Sequence, residues 1–172
     1  GGHPERGKVP GVEASTGALG HGLPIGVGVA LALRVKKSAS RVFVLTGDGE
    51  INEGSNWEAL MAAAKHRLSN LTVLIDYNKV QSYGRTVDVL DLEPIVDKFR
   101  SFGFVTEEVD GHDVGALETV FRKLPFVKNA PSAVVCHTVK GKGLPFAEGN
   151  PEWHHKSGLT ELDFQNMYEI FS

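Results

Sequence analysis

Arg41-Val42-Phe43-Val44-Leu45-Thr46-Gly47-Asp48-Gly49 is the stretch whose reading decides the fold. A continuous apolar run that stops at Gly-Asp-Gly reads as a strand over 41–46, buried on both faces, with a polar turn at its carboxyl end. Downstream, Trp57, Leu60, Met61, Ala64 and Leu68 step by threes and fours, so 53–68 is expected to be a helix. Leu71-Thr72-Val73-Leu74-Ile75 repeats the buried-strand pattern and runs into Asp76-Tyr77-Asn78-Lys79. The alternation continues with a helix over 91–102, a strand over 104–109, a helix over 114–124 and a strand over 132–138. A polar, Gly-rich loop over 139–159 then leads to a terminal helix over 160–171. Upstream, 1–16 reads as loop, because Pro4, Gly7, Pro10 and Gly11 break any regular pattern. The small-residue run 17–37 is expected to be a tightly packed helix, although part of it alternates like a strand. Arg34, Lys36 and Lys37 suit its C-terminus. Strands alternating with helices imply an α/β fold, a doubly wound, mainly parallel sheet with helices on both faces.

Composition narrows the function. The 172 residues suit one domain, read here as spanning 1–172. A hydrophobic fraction of 41% against 23% charged is a globular balance, which excludes global disorder. Eighteen Lys plus Arg against 21 Asp plus Glu give a net charge of −3, which excludes a generally basic nucleic-acid binder. The single cysteine, Cys136, excludes a disulfide scaffold and a multi-cysteine zinc site, and fits a reducing, cytoplasmic setting. No apolar stretch is long enough to span a membrane.

In an open parallel sheet, ligands bind beyond the carboxyl ends of the strands. Here the strands run out into Gly47-Asp48-Gly49-Glu50, Asp76-Tyr77-Asn78-Lys79 and Val139-Lys140-Gly141-Lys142-Gly143. Asp48 and Asn78 stand thirty residues apart, one strand-helix-strand unit, so adjacent strands bring them to the same edge. A carboxylate and an amide oxygen are hard ligands suited to magnesium or calcium, and two such side chains leave coordination positions for phosphate oxygens. The glycines let backbone approach a phosphate, and Lys140 and Lys142 add positive charge. Taken singly, Gly-Asp-Gly is an ordinary tight turn and Asn an ordinary helix cap; it is the pair, at this spacing and in this strand context, that points to a metal.

Gly47-Asp48-Gly49 followed by Asn78 resembles the thiamine diphosphate fingerprint. The longer string over 47–86, GDGEINEGSNWEALMAAAKHRLSNLTVLIDYNKVQSYGRT, resembles the transketolase family. So do GGHPERGKVPGVEASTGALGHGLP over 1–24, HTVKGKGLPF over 137–146 and NPEWHHK over 150–156. The likeness runs in order over nearly the whole chain. It matches the amino-terminal, pyrophosphate-binding half, or the separate amino-terminal subunit of split enzymes. The resemblance implies Asp48 and Asn78 as side-chain ligands of Mg2+ (or Ca2+), with the Val80 carbonyl as a third. It implies that Gly49 and Asn78 touch the diphosphate and that Gly17, Ala18 and Leu19 lie near the aminopyrimidine ring. Lys140 and His154 would lie by the diphosphate. His154 would also face substrate, and His3 would contact the donor sugar's oxygens. Glu53 would stand at the subunit interface. The implied activity is transfer of a two-carbon ketol unit from a ketose (phosphate) to an aldose (phosphate), in carbohydrate metabolism of the pentose phosphate type. The implied partner is a pyrimidine-binding subunit or domain, in a dimer or heterotetramer, with sugar phosphate substrates and neither nucleic acid nor membrane.

The chain departs from the family's pattern in three places. His155 stands where Trp-His-Gly-Lys is common, and Gln81-Ser82-Tyr83-Gly84 replaces a commoner Gln-Ile-Asp-Gly, which removes an acid beside the substrate channel. The family's pyrimidine-side glutamate and aromatic pocket, and the histidines upstream of Gly-His-Pro, have no counterpart, so the domain is expected to lack its N-terminal segment. Two other readings stand beside this one. The chain could belong to another thiamine diphosphate enzyme, such as deoxyxylulose-phosphate synthase or an oxo-acid dehydrogenase component, or it could be a non-catalytic subunit on the same fold. Of the remaining residues, His66 reads as exposed, His112 as part of a turn or cap, and Cys136 as inert core.

Overall fold

The apolar run after Arg41 forms β1 (Val42–Gly47) in a computed structural model that describes residues 2–154 and 156–171. The rest comes as α1 (Gly22–Val35) before it, then α2 (Asp48–Ile51), α3 (Gly54–Lys65), β2 (Leu71–Tyr77) and a hairpin of β3 (Val80–Gln81) and β4 (Gly84–Arg85). After these come α4 (Thr86–Val89), α5 (Ile95–Ser101), β5 (Val105–Asp110), α6 (Val114–Arg122), β6 (Ser132–His137) and α7 (Glu161–Phe171). The main sheet has the order β1-β2-β6-β5, and every pairing in it is parallel. The alternating α/β pattern is therefore realised as a parallel sheet.

Side chains alternate across the strands and divide the core in two. Val44, Val73, Ile75, Tyr77, Ala133 and Val135 point to the face covered by α1, α3 and α5, where Leu23, Leu60 and Phe99 are fully buried. Leu74, Val109, Val134 and Cys136 point to the other face, where α6 packs through Leu117 and Val120. Helices thus lie on both faces, but unequally. On β1 the second face is left open, with Phe43 47% and Leu45 70% exposed.

Three boundaries differ from expectation. The small-residue helix begins at Gly22 rather than at 17, because Gly17 (φ +116°) and Gly20 (φ +77°) take left-handed backbone that no α-helix accepts. Gly17, Ala18 and Leu19 therefore lie in the loop before α1. The helix expected over 91–102 begins at Ile95, after Pro94, and Leu92 is buried from a non-helical segment. The helix expected from 53 is preceded by the short turn α2, so Asp48 opens a helical turn instead of sitting in a plain loop.

Tyr77 closes β2 at 3% exposure, and its hydroxyl donates to Glu93 Oε1 at 2.5 Å. The other oxygen of Glu93 accepts from Ile95 N at 3.0 Å, in the first turn of α5. Burial and the Glu93 bond push the Tyr77 phenol up. The Tyr77 hydroxyl, in turn, holds the Glu93 carboxyl below its usual range. Tyr77→Phe is expected to cost about 1 kcal/mol of stability at neutral pH. Because the folded pKa of Glu93 is lowered, its contribution is present above the unfolded pKa and lost as pH falls through the folded one. Urea unfolding should therefore show a larger deficit at about pH 7 than at about pH 3. An equal deficit at both values would exclude the Tyr77–Glu93 bond as its source.

Candidate functional site

Asp48 is 1% exposed at the carboxyl end of β1. Its Oδ1 accepts from Gly49 N at 2.7 Å and its Oδ2 from Lys79 N at 2.5 Å. Lys79 adopts φ +67°, which turns its amide back toward β1 and carries the whole 78–80 turn with it. Asn78 Oδ1 accepts from Val80 N at 3.0 Å, an Asx turn that shapes the same corner. The parallel register Gly47↔Asp76 is what sets the two strand ends side by side. The structure thus brings Asp48, Gly49, Asn78 and Val80 together at one edge. Burial raises the Asp48 carboxyl above the ordinary carboxylate range, opposed by the two amides; Asp76 adds to the rise and Lys140 works against it. A buried carboxylate so placed is better accommodated with a cation beside it.

Gly49 is held close by its neighbour. A Cβ there would stand 2.7 Å from Gln81 Cβ, so only glycine lets the β3–β4 hairpin settle over the turn. The amide nitrogen Gln81 Nε2 is buried with no hydrogen-bond partner, a donor directed at nothing in this chain. At the hairpin's next residue, Ser82 Oγ lies 3.2 Å from His154 Nε2, so the hairpin and the Trp153-His154 turn meet. His155 lies outside the described residues.

A groove of about 440 Å³ runs along the same edge on the α6 side. Asp76, Asn78, His112, Thr138 and Lys140 line it. The Lys140 loop is fastened at both ends: Gly149 N donates to Lys140 O at 2.8 Å, and Val139 N donates to His112 Nε2 at 2.8 Å. Accepting that amide fixes His112 as the tautomer protonated on Nδ1. His112 stands in the turn expected of it, but its grip on the Lys140 loop was not legible. Cys136 lies buried at the groove floor, and burial pushes its thiol up, in keeping with an inert core residue.

A second group of residues forms around the start of the chain. The His3 ring packs on Gly17, within 3.3 Å of where a Cβ would stand. The Gly17–Gly20 loop is pinned from α2 and α3: Gly20 N donates to Glu50 Oε1 at 3.1 Å, and Ser55 Oγ donates to Gly20 O at 2.6 Å. Ala18 and Leu19 are exposed, as is Glu53, the N-cap residue of α3, whose Cβ faces Gly20. His3 and His154 thus belong to different clusters, one at the Gly17 loop and one at the hairpin. Glu50, Ser55, Asp76, Gln81 and His112 are site residues that sequence reasoning did not single out. Only Glu50 and Asp76, flanking the Asp48 and Asn78 motifs, carried a signal by position. Among the described residues, no group of three or more His, Cys, Asp or Glu side chains is arranged to hold a metal. A two-side-chain set completed by a backbone carbonyl falls below that number. No helix among the described residues is long and apolar enough to cross a membrane.

Comparison with known proteins shows the family to which this fold belongs. Residues 1–171 match the family described as transketolase, thiamine diphosphate binding domain. The chain is 46% identical over 155 residues to an apulose-4-phosphate transketolase subunit of Actinobacillus succinogenes, covering 90% of this chain and 56% of that protein. It is 36% identical over 159 residues to the 6-deoxy-6-sulfo-D-fructose transketolase subunit SqwG of a Clostridium species, covering 92% of this chain and 58% of that one. A transketolase from Pichia stipitis, solved in complex with sedoheptulose-7-phosphate, superposes with a TM-score of 0.85 at 32% identity over 99% of this chain and 27% of its own. The chain therefore spans a little over half the length of these curated relatives. On these grounds the chain belongs to the transketolase family and carries its thiamine diphosphate binding domain.

Proposed function

We propose that this chain is the diphosphate- and metal-binding half of a transketolase that moves a two-carbon ketol unit from a ketose to an aldose acceptor. The observation that carries this is the union of Asp48 and Asn78 at one sheet edge, held by the 2.5 Å bond from Lys79 N to Asp48. The donor set fits the cofactor and its ion: two hard side-chain oxygens and the Val80 carbonyl for Mg2+ (or Ca2+), and glycine backbone at Gly49 for close approach of a phosphate. The orphaned Gln81 Nε2 is a further donor suited to an anion or a polar ring. When bound, thiamine diphosphate supplies the carbon centre and electron sink on which the two-carbon unit is carried.

The chain's own residues then have separate tasks. Asp48, Asn78 and Val80 hold the ion, Gly49 and Asn78 meet the diphosphate, and Lys140 offsets its charge. Gly17, Ala18 and Leu19 form a wall for the aminopyrimidine, pre-set by Glu50 and Ser55. His3 and His154 hydrogen-bond sugar oxygens and hold or move their protons. Glu53, exposed on the α3 cap, faces a partner that contributes the pyrimidine-binding half, in a dimer or heterotetramer. The sugars named for the two relatives, a phosphate and a sulfo sugar, are both anionic, which supports a sugar phosphate or a similarly charged substrate. The setting would be cytoplasmic carbohydrate metabolism.

The test is calorimetric titration of thiamine diphosphate with magnesium into this chain, alone and together with a pyrimidine-domain subunit. Saturable binding that requires the partner, followed by ketol transfer in the assembled enzyme, is the expected result. Absence of binding in both settings would leave the non-catalytic reading.

A further inference from the structure

At the end of β2, Asp76 stands two residues before Asn78, on the same side of the chain and on the groove side of the sheet. Its Oδ1 accepts from the Thr138 hydroxyl, which comes from the end of β6. Its Oδ2 accepts from Asn78 Nδ2 at 3.3 Å. Both oxygens are therefore engaged, and the two partners stand just past the ends of the two central strands, β2 and β6. Asn78 is fastened from its two ends, with the amide nitrogen on Asp76 and the amide oxygen taking the Val80 amide.

An asparagine side chain can serve a metal only through its oxygen, and the amide presents two nearly isosteric ends. A carboxylate beside it accepts hydrogen bonds and donates none, so it selects the NH2 end and turns the oxygen the other way. Drawing density from that oxygen onto a cation makes the NH2 group a stronger donor, which tightens its bond to the carboxylate in turn. Thr138 completes the arrangement by keeping Asp76 from turning away.

We propose that Asp76 is a positioning residue for metal binding, which orients the Asn78 amide so that its oxygen, and not its nitrogen, is offered to the ion. This rests on the reading of Asp48 and Asn78 as ligands. Asp76 itself touches neither ion nor substrate in this assignment. Loss of such an outer partner weakens metal binding by about 10- to 100-fold.

The charge of Asp76 would also attract a cation, so the test must separate orientation from charge. Asp76→Leu keeps the size and removes the acceptor. It is combined with Asn78→Asp, which offers oxygen at both ends and needs no orienting. Magnesium affinity is measured by calorimetry at saturating thiamine diphosphate in the assembled enzyme, and Mn2+ binding by electron paramagnetic resonance gives a second readout. D76L alone is expected to weaken both ions at least tenfold. In the N78D background the same change is expected to cost less than about twofold, or to help by relieving two adjacent carboxylates. Equal losses in the two backgrounds would reduce Asp76 to a distant charge and overturn the proposal, as would no loss from D76L. Asp76→Ala takes the place of D76L in the same cycle if that variant does not fold. Asp48→Ala is run alongside: if it leaves the affinity unchanged, the ligand assignment itself fails, whereas its collapse beside an unaffected D76L refutes the orienting role alone.

Discussion

Asp48→Ala abolishes magnesium-dependent binding of thiamine diphosphate, with an expected loss above about a hundredfold, beyond what removal of an outer partner costs. The physical reason lies in where the carboxylate sits. It is 1% exposed, so water cannot take its place, and its partners within the chain are two backbone amides. Removing it strips the ion of an anionic ligand and leaves the amides of Gly49 and Lys79 without an acceptor in a buried corner. The turn that presents Asn78 then loses its tether. Asp48→Asn separates the two effects, because an amide oxygen still accepts one of the N–H groups while the charge is gone. It should keep the fold and still bind the ion poorly. Unchanged cofactor affinity in magnesium titrations of either variant would remove Asp48 from the ligand set.

His3→Ala is expected to leave cofactor and magnesium affinity within about twofold while lowering turnover roughly a hundredfold, the lower end of what a positioned proton-transfer group contributes. The separation rests on geometry. His3 packs on Gly17, in the loop whose Gly20 is pinned by Glu50 and Ser55, and the hydrogen bonds that Asp48 accepts come from Gly49 and Lys79. A variant that loses both affinity and rate would show that His3 supports the Gly17 loop instead of meeting substrate. Turnover equal to the parent at saturating donor and acceptor would remove it from the mechanism.

The parallel sheet was legible because its strands are apolar runs alternating with helices, but only the central β2 and β6 are buried on both faces; β1 reads the same way in sequence, yet Phe43 and Leu45 on its outer face are exposed. The Asp48–Asn78 pair was legible for a related reason: strand pairing converts a spacing of thirty residues into adjacency. The start of α1 was not, because a run of Gly and Ala looks the same to a periodicity count whether its glycines are helical or left-handed. Gly17 and Gly20 are the second kind, and that difference turns the Gly17–Leu19 segment into a presented loop. The hold of His112 on Val139 was equally hidden. It joins the ends of β5 and β6, and nothing in the local chemistry of Asp110-Gly111-His112-Asp113 says which amide the ring will meet. Gln81 was read for what its neighbours lack, whereas its own role depends on the hairpin folding down on Gly49.

The two-sidedness of β2 sets a limit on how this segment can change. Residues 71, 73, 75 and 77 are committed to the core under α1, α3 and α5, while 74 packs on the α6 side and 76 lines the groove, with Asn78 fastened to Asp76 beyond the strand's end. Inserting or deleting a single residue inside 71–77 would exchange the two sets at one stroke, putting Asp76 into the core and Tyr77 into the groove. Core and chemistry take opposite parities of one register, so sequence drift can lengthen the connection over 66–70 but cannot shift the strand by one without losing both. A library of one-residue insertions across 66–78 would map that boundary as an abrupt edge at Leu71.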